Sequence, residues 1–163
     1  MKITGAVLFL AAGMLCGCSA AAKLDKHAAS VRLLRQLVQF FISELRSVLP
    51  LTSDLLRSAA SQQSFSSLQF LHAAAAHADQ FPQCWGQALS ADRNLHASER
   101  TVLETVGQTL GSTTLDGQIA ALTLCQERLA ILQEEAEQTA RQKGNLYRSM
   151  GILTAVFIVI ILL

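Results

Sequence analysis

The sequence predicts an all-α fold: a bundle of about six helices, flanked by an N-terminal and a C-terminal transmembrane helix. Three observations carry this reading. Apolar residues recur at steps of three and four along residues 30–48 and again along residues 119–140, so each stretch lines one helical face. Only two prolines, Pro50 and Pro82, interrupt the chain, and no run alternates apolar with polar residues as a half-buried strand would. The apolar residues, 51% of the total, are concentrated in runs at the two ends, while charged residues make up only 15%, against roughly 25% in ordinary soluble domains.

Residues 1–22 form the first segment. The run from Ile3 to Ala22 carries no charge and is bounded by Lys2 on one side and Lys23 and Lys26 on the other. At about 1.5 Å per residue it is long enough to cross a bilayer core of about 30 Å. Gly13 and Gly17 stand four apart, a small-residue face that lets a second membrane helix approach. The same run also fits a signal peptide, with Lys2 as the basic start and Ala20-Ala21-Ala22 as small residues for cleavage. Leu15-Cys16-Gly17-Cys18 has the outline of a lipoprotein site, with Cys18 as the lipidated residue. Charge placement favours the span. Lys23, Lys26, Arg32 and Arg35 follow the first apolar run, and Arg141, Lys143 and Arg148 precede the last one. Basic flanks stay in the cytoplasm, which makes the intervening domain cytoplasmic.

Residues 23–147 read as the helical bundle. Leu33, Leu34, Leu37, Phe41, Leu45 and Val48 make a wide apolar stripe on a first helix, and Leu49-Pro50 breaks it, because proline disfavours helix in the residue before it. A second helix runs from Leu51 or Ser53 to Ser61, with a turn at Ser61-Gln62-Gln63-Ser64. A third carries Phe65, Leu68, Phe70 and Leu71 and ends in the alanines 73–76; Phe81-Pro82 marks the next break. The span from Cys84 to Leu89 is a short fourth helix with Trp85, the sole tryptophan, as its core anchor. Ser98-Glu99 caps a fifth, with Val102, Leu103, Val106 and Leu110 inward and Gly111 as its left-handed C-terminal residue. Thr113 or Thr114 then caps the sixth and longest helix, whose seam is Leu122, Cys125, Leu129, Leu132, Ala136 and Ala140. Glu127, Glu134 and Glu137 fall off that seam and are the candidate partner-binding residues. Residues 148–163 close the chain with a second charge-free run, from Ile152 to Leu163: a helix apolar on all sides has lipid rather than water around it.

Chemistry is harder to find. His72 and His77 are five apart and do not form a helical ligand pair, and His27 and His96 stand alone in sequence. Gly107 to Thr113 has the outline of a phosphate loop but lacks the lysine and the preceding strand; the end of a helix accounts for it better. Cys125 on the seam is a small core residue. A formal charge of +1 leaves no footprint for nucleic acid. The residues therefore imply no enzyme, no cofactor, no metal and no small-molecule substrate.

The chain resembles a known family, stage III sporulation protein AB of endospore-forming bacteria. The resemblance rests on Val106-Gly107-Gln108-Thr109-Leu110-Gly111, then Gln118, Leu122, Leu124 and Leu129, and then Leu146-Tyr147-Arg148-Ser149-Met150-Gly151-Ile152-Leu153 before the terminal run. Phe81 with Trp85, Ala88 and Leu89, and the Leu49-Pro50-Leu51 break, also fit. Thr114 stands where the family more often has an aspartate, a change between two capping residues. The resemblance implies a non-catalytic component of the channel complex between mother cell and forespore. It also implies a bundle similar to the cytoplasmic domains of the type II secretion platform protein. Its expected partners are the membrane, the ATPase of the sporulation complex and other channel subunits. Its expected location is the mother-cell or outer forespore membrane, with structural weight on Trp85, Gly111, Thr114, Leu122, Leu129, Tyr147 and Gly151.

Overall fold

The computed structural model describes the backbone of residues 2–47 and 50–162, and the side chains of residues 18–47, 50–144, 146, 149, 150 and 153. Among these residues the secondary structure is helical, without strands: α1 (Lys2–Ser47), α2 (Thr52–Ser61), α3 (Gln69–Ala76), α4 (Gln83–Ala91), α5 (Ala97–Thr109) and α6 (Leu115–Leu162). Two short 3-10 turns, Gln63–Phe65 and Ala78–Gln80, fill the connections on either side of α3. The breaks fall where the prolines place them: α1 ends at Ser47 before Pro50, and α4 begins directly after the cis Phe81-Pro82 bond. Val48 and Leu49 lie outside the described residues.

α1 and α6 run without a break through residues 22/23 and 147/148, where the sequence changes composition, and the sixth helix continues into the terminal apolar run as one long helix. One feature differs from expectation. The third helix starts later than its apolar pattern suggested. Phe65 is buried but sits in the 3-10 turn, and α3 begins at Gln69. Three-residue and four-residue turns both bury a residue at that spacing, so the pattern does not separate them.

No helix among the described residues is long and apolar enough to cross a membrane. Of the two runs expected to span it, most side chains lie outside the described residues, including Cys16 and the Gly13/Gly17 pair.

The chain groups into two compact units, Met1–Ser30 with Gln133–Leu163, and Val31–Leu132. In the first, the described contact surface is built of small residues. Ala21, Ala28, Ala136, Ala140 and Gly144 are buried, and a methyl group added at Gly144 would stand 3.9 Å from that of Ala21. Small side chains let two helix backbones come close. The second unit holds the large core, in which Leu34, Leu37, Val38 and Phe41 of α1 share one cluster with Leu122, Cys125 and Leu129 of α6. The seam expected from α6 is thus buried, and across it the Gln126 side-chain amide donates to Gln39. The short helices α2 to α5 complete the cluster with Leu55, Leu56, Phe70, Leu71, Leu89 and Leu103.

The corner between α5 and α6 is built as the sequence suggests. Gly111 has φ +75°, a left-handed conformation that a β-branched residue resists. Its amide donates to Gln118 Oε1 at 3.1 Å, and Gln118 Nε2 donates to the Thr113 carbonyl at 2.8 Å, so one side chain clamps the whole turn. Thr114 is the residue before α6, and its Oγ1 accepts from the Gly117 amide at 3.4 Å, the geometry of an N-terminal cap. Gly111→Val should lower stability by about 1–3 kcal/mol, the cost of holding such a residue in a left-handed conformation. A urea midpoint unchanged from the parent would show that this corner tolerates a side chain and is fixed in another way.

Candidate functional site

The most elaborate construction in the second unit surrounds Trp85. Its indole is buried, ringed by Phe41 (6.3 Å between ring centroids), Phe70 (5.4 Å, edge to face) and Phe81 (6.4 Å). A buried indole needs a partner for its N–H, and it donates to the Leu103 carbonyl of α5 at 2.8 Å. That carbonyl is normally screened by the side chain one turn later, which is residue 107. Here residue 107 is glycine, so the ring lies directly against the helix: a Cβ at Gly107 would fall 2.3 Å from Trp85 Cδ1. Gly107 was read as part of a helix end, and it lies in the last turn of α5. It is also buried, and its lack of a side chain is what lets tryptophan reach the backbone.

Beside this cluster an open groove of about 520 Å³ is lined by Leu51, Phe81, Pro82, Gln108, Gly111 and Ser112, among others. Asp79 on its wall receives both bonds of a bidentate contact from Arg57 at 3.0 Å, an exposed pair of the kind that contributes little stability. The polar groups lining the groove, among the described residues, are hydroxyls, the Gln108 amide and the Asp79 carboxylate. No imidazole, thiol or amine stands among them to raise a hydroxyl to a nucleophile. The one carboxylate of the lining, Asp79, is engaged by the Arg57 guanidinium. Sequence reasoning missed the groove; its one legible sign was Leu51, a large apolar residue that is 74% exposed immediately after the Pro50 break.

Of the other expected residues, Leu122 and Leu129 are fully buried on the α6 seam, while Gly111 and Thr114 lie exposed at the corner. The side chain of Tyr147 lies outside the described residues, as does Gly151 beyond its helical backbone. The three acids expected to meet a partner are not equivalent. Glu127 and Glu134 are exposed, and Glu134 accepts a long hydrogen bond from Gln138 Nε2 at 3.4 Å, whereas Glu137 is half-buried and accepts from Gln133 Nε2 at 2.9 Å. Glu127 belongs to the second unit, Glu134 and Glu137 to the first. Sequence spacing could place these acids on one helix but could not tell which would be engaged locally.

Glu99, read as part of a helix cap, is buried, and its Oε2 accepts from the His96 amide at 3.2 Å. It therefore serves α5 from the third helical position, with His96 and not Ser98 before the first turn. His72 is exposed on α3, and His77 follows the last residue of that helix. Burial pushes the thiols of Cys84 and Cys125 above their ordinary value, and for Cys125 the nearby Arg128 opposes that rise only in part. Both thiols stay protonated near neutrality and behave as small core residues.

The family model of stage III sporulation protein AB (spore_III_AB) matches residues 2–163. The chain belongs to the stage III sporulation protein AB family. Its role therefore lies in stage III of sporulation, in a family of sporulation components that is not a known enzyme family. No curated protein and no solved structure matches the chain.

Proposed function

We propose that this family member is a non-catalytic, membrane-anchored component of the secretion-like channel complex between mother cell and forespore, and that it docks a cytoplasmic ATPase to the membrane subunits. The observation that supports anchoring is the course of α1 and α6. Each contributes core residues to the bundle and continues as helix into one of the apolar terminal runs of the sequence. The basic residues beside those runs then hold the bundle on the cytoplasmic side of the mother-cell or outer forespore membrane. The bundle, similar in this reading to the cytoplasmic domains of a type II secretion platform, offers a surface of helix faces and one open groove. Other channel subunits are reached through the membrane helices. Glu134, exposed on α6, is the acid best placed to receive a basic patch of the ATPase; Glu127 stands in a different setting, between two exposed apolar residues.

One strain tests both halves of this reading. A reporter inserted after Ser64 should be active only as a cytoplasmic protein. The ATPase of the complex should co-purify with the parent chain and be reduced by about fivefold or more with Glu134→Arg, since reversing a contact charge juxtaposes like charges. An externally exposed reporter would overturn the cytoplasmic placement and favour an exported or lipid-anchored helical adaptor, attached through the exposed Cys18.

A further inference from the structure

Along α6 in the second unit, the face turned away from the core is not uniformly polar. Leu124 is 51% exposed and Ile131 60%, while Leu122, Cys125 and Leu129 on the inner face are buried. At 3.6 residues per turn, Leu124 and Ile131 lie within about 20° of one another and rise about 10 Å apart along the helix. Between them in sequence come Glu127 and Arg128, both exposed. Neighbouring residues do not share an azimuth. Glu127 lies about 50° to one side of the Leu124–Ile131 line and Arg128 about 50° to the other. The result is a short apolar ridge with an acid along one flank and a base along the opposite flank.

We infer that this ridge is the contact surface for a second copy of the same chain, packed parallel along α6. The charge pattern selects both the occupant and its direction. A two-fold axis parallel to the helices places Leu124 against Leu124 of the second copy and Ile131 against its Ile131. The same operation exchanges the flanks, so Glu127 of each copy faces Arg128 of the other, and both ion pairs form at one level. Antiparallel packing keeps each residue on its own flank. It would set Glu127 beside Glu127 and Arg128 beside Arg128, with repulsion on both sides. A sequence that is self-complementary in one direction and self-repelling in the other specifies its register and polarity together. The apolar ridge supplies the attraction and the flanking charges supply the choice. With two apolar residues from each copy the contact is small, which makes the association reversible and strengthened by anything that holds two copies near each other. The inference goes beyond the docking role proposed above and does not depend on it, because it rests on residues of the second unit alone.

Two differently tagged full-length chains, co-expressed and extracted in mild detergent, provide the test. The parent chains should co-purify. Glu127→Arg in both copies makes all four flanking charges positive and should lower recovery by about tenfold, and Arg128→Glu in both copies, which makes all four negative, should do the same. Pairing a Glu127→Arg chain with an Arg128→Glu chain restores opposite charges on both flanks and should return recovery to the parental level, which also shows that each variant is folded. Leu124→Cys should give an oxidised dimer joined through position 124 on both chains, above the background from the parent chain's own cysteines. Absence of co-purification in the parent, full recovery with Glu127→Arg in both copies, or no restoration in the mixed pair would overturn the inference. A link from position 124 to a cysteine placed at position 131, without a 124–124 link, would overturn its parallel direction.

Discussion

Trp85→Ala is expected to destabilise the bundle by about 3–5 kcal/mol, the range for truncating a fully buried large aromatic residue. Three terms act together. The indole is 1% exposed and packs on Phe41, Phe70 and Phe81, so its removal leaves a cavity walled by rings that cannot collapse into it without losing their own contacts. The aromatic pairs themselves contribute beyond their buried area, most clearly the edge-to-face pair with Phe70 at 5.4 Å. The hydrogen bond to the Leu103 carbonyl is also lost, but that carbonyl keeps its partner in the α5 ladder, so this loss is the smallest of the three. Trp85→Phe separates the terms, since it fills most of the space and forfeits the N–H; a cost of about 1–2 kcal/mol is expected. Urea denaturation of the full-length chain followed by far-UV circular dichroism gives both values. An alanine variant within about 1 kcal/mol of the parent would mean that the aromatic cluster is not the centre of the core.

Much of this core could be read from the sequence, because local rules govern it. The stripe from Leu33 to Leu45 and the seam from Leu122 to Ala140 needed only helical spacing, and each buries the face its spacing selects. The corner at Gly111 needed only the knowledge that glycine accepts a left-handed φ. What escaped was the burial of individual polar side chains and the meeting of segments distant in sequence. Glu137 is half-buried beside Gln133 although its spacing matches a solvated face. Glu99 is an acid that the core encloses because it serves a backbone amide, a role in which ordinary expectations for charged residues fail. The groove beside Leu51 is lined by residues from 51 to 112, which lie far apart in sequence and meet only in the folded bundle. Spacing left Leu124 off the seam that holds Leu122, but only the exposures show that Leu124 and Ile131 stand uncovered together on the outer face of α6.

Gly107 is the sharpest case, and it yields the second large effect. Two glycines stand in Gly107-Gln108-Thr109-Leu110-Gly111, and from the sequence only Gly111 has a reason of its own. Gly111 is needed for its φ. Gly107 lies in the last turn of α5, where the backbone is still helical and glycine is intrinsically worse than alanine by up to about 1 kcal/mol. In isolation, Gly107→Ala should therefore stabilise the helix. In the folded bundle the new methyl group would fall 2.3 Å from Trp85 Cδ1 and 2.8 Å from Nε1, on a ring held by three aromatic neighbours and its own hydrogen bond. The ring cannot move aside without losing them, so overpacking wins and a net loss of about 1–3 kcal/mol is expected for alanine, with valine at or above the upper end. The decisive measurement is a double-mutant cycle in urea. With Trp85→Ala in the background the obstacle is gone and the helix preference is left alone, so Gly107→Ala should become neutral or stabilising by up to about 1 kcal/mol. That change of sign isolates close approach as the reason for the glycine. If Gly107→Ala costs the same with tryptophan present and absent, the packing of Trp85 against α5 does not explain it.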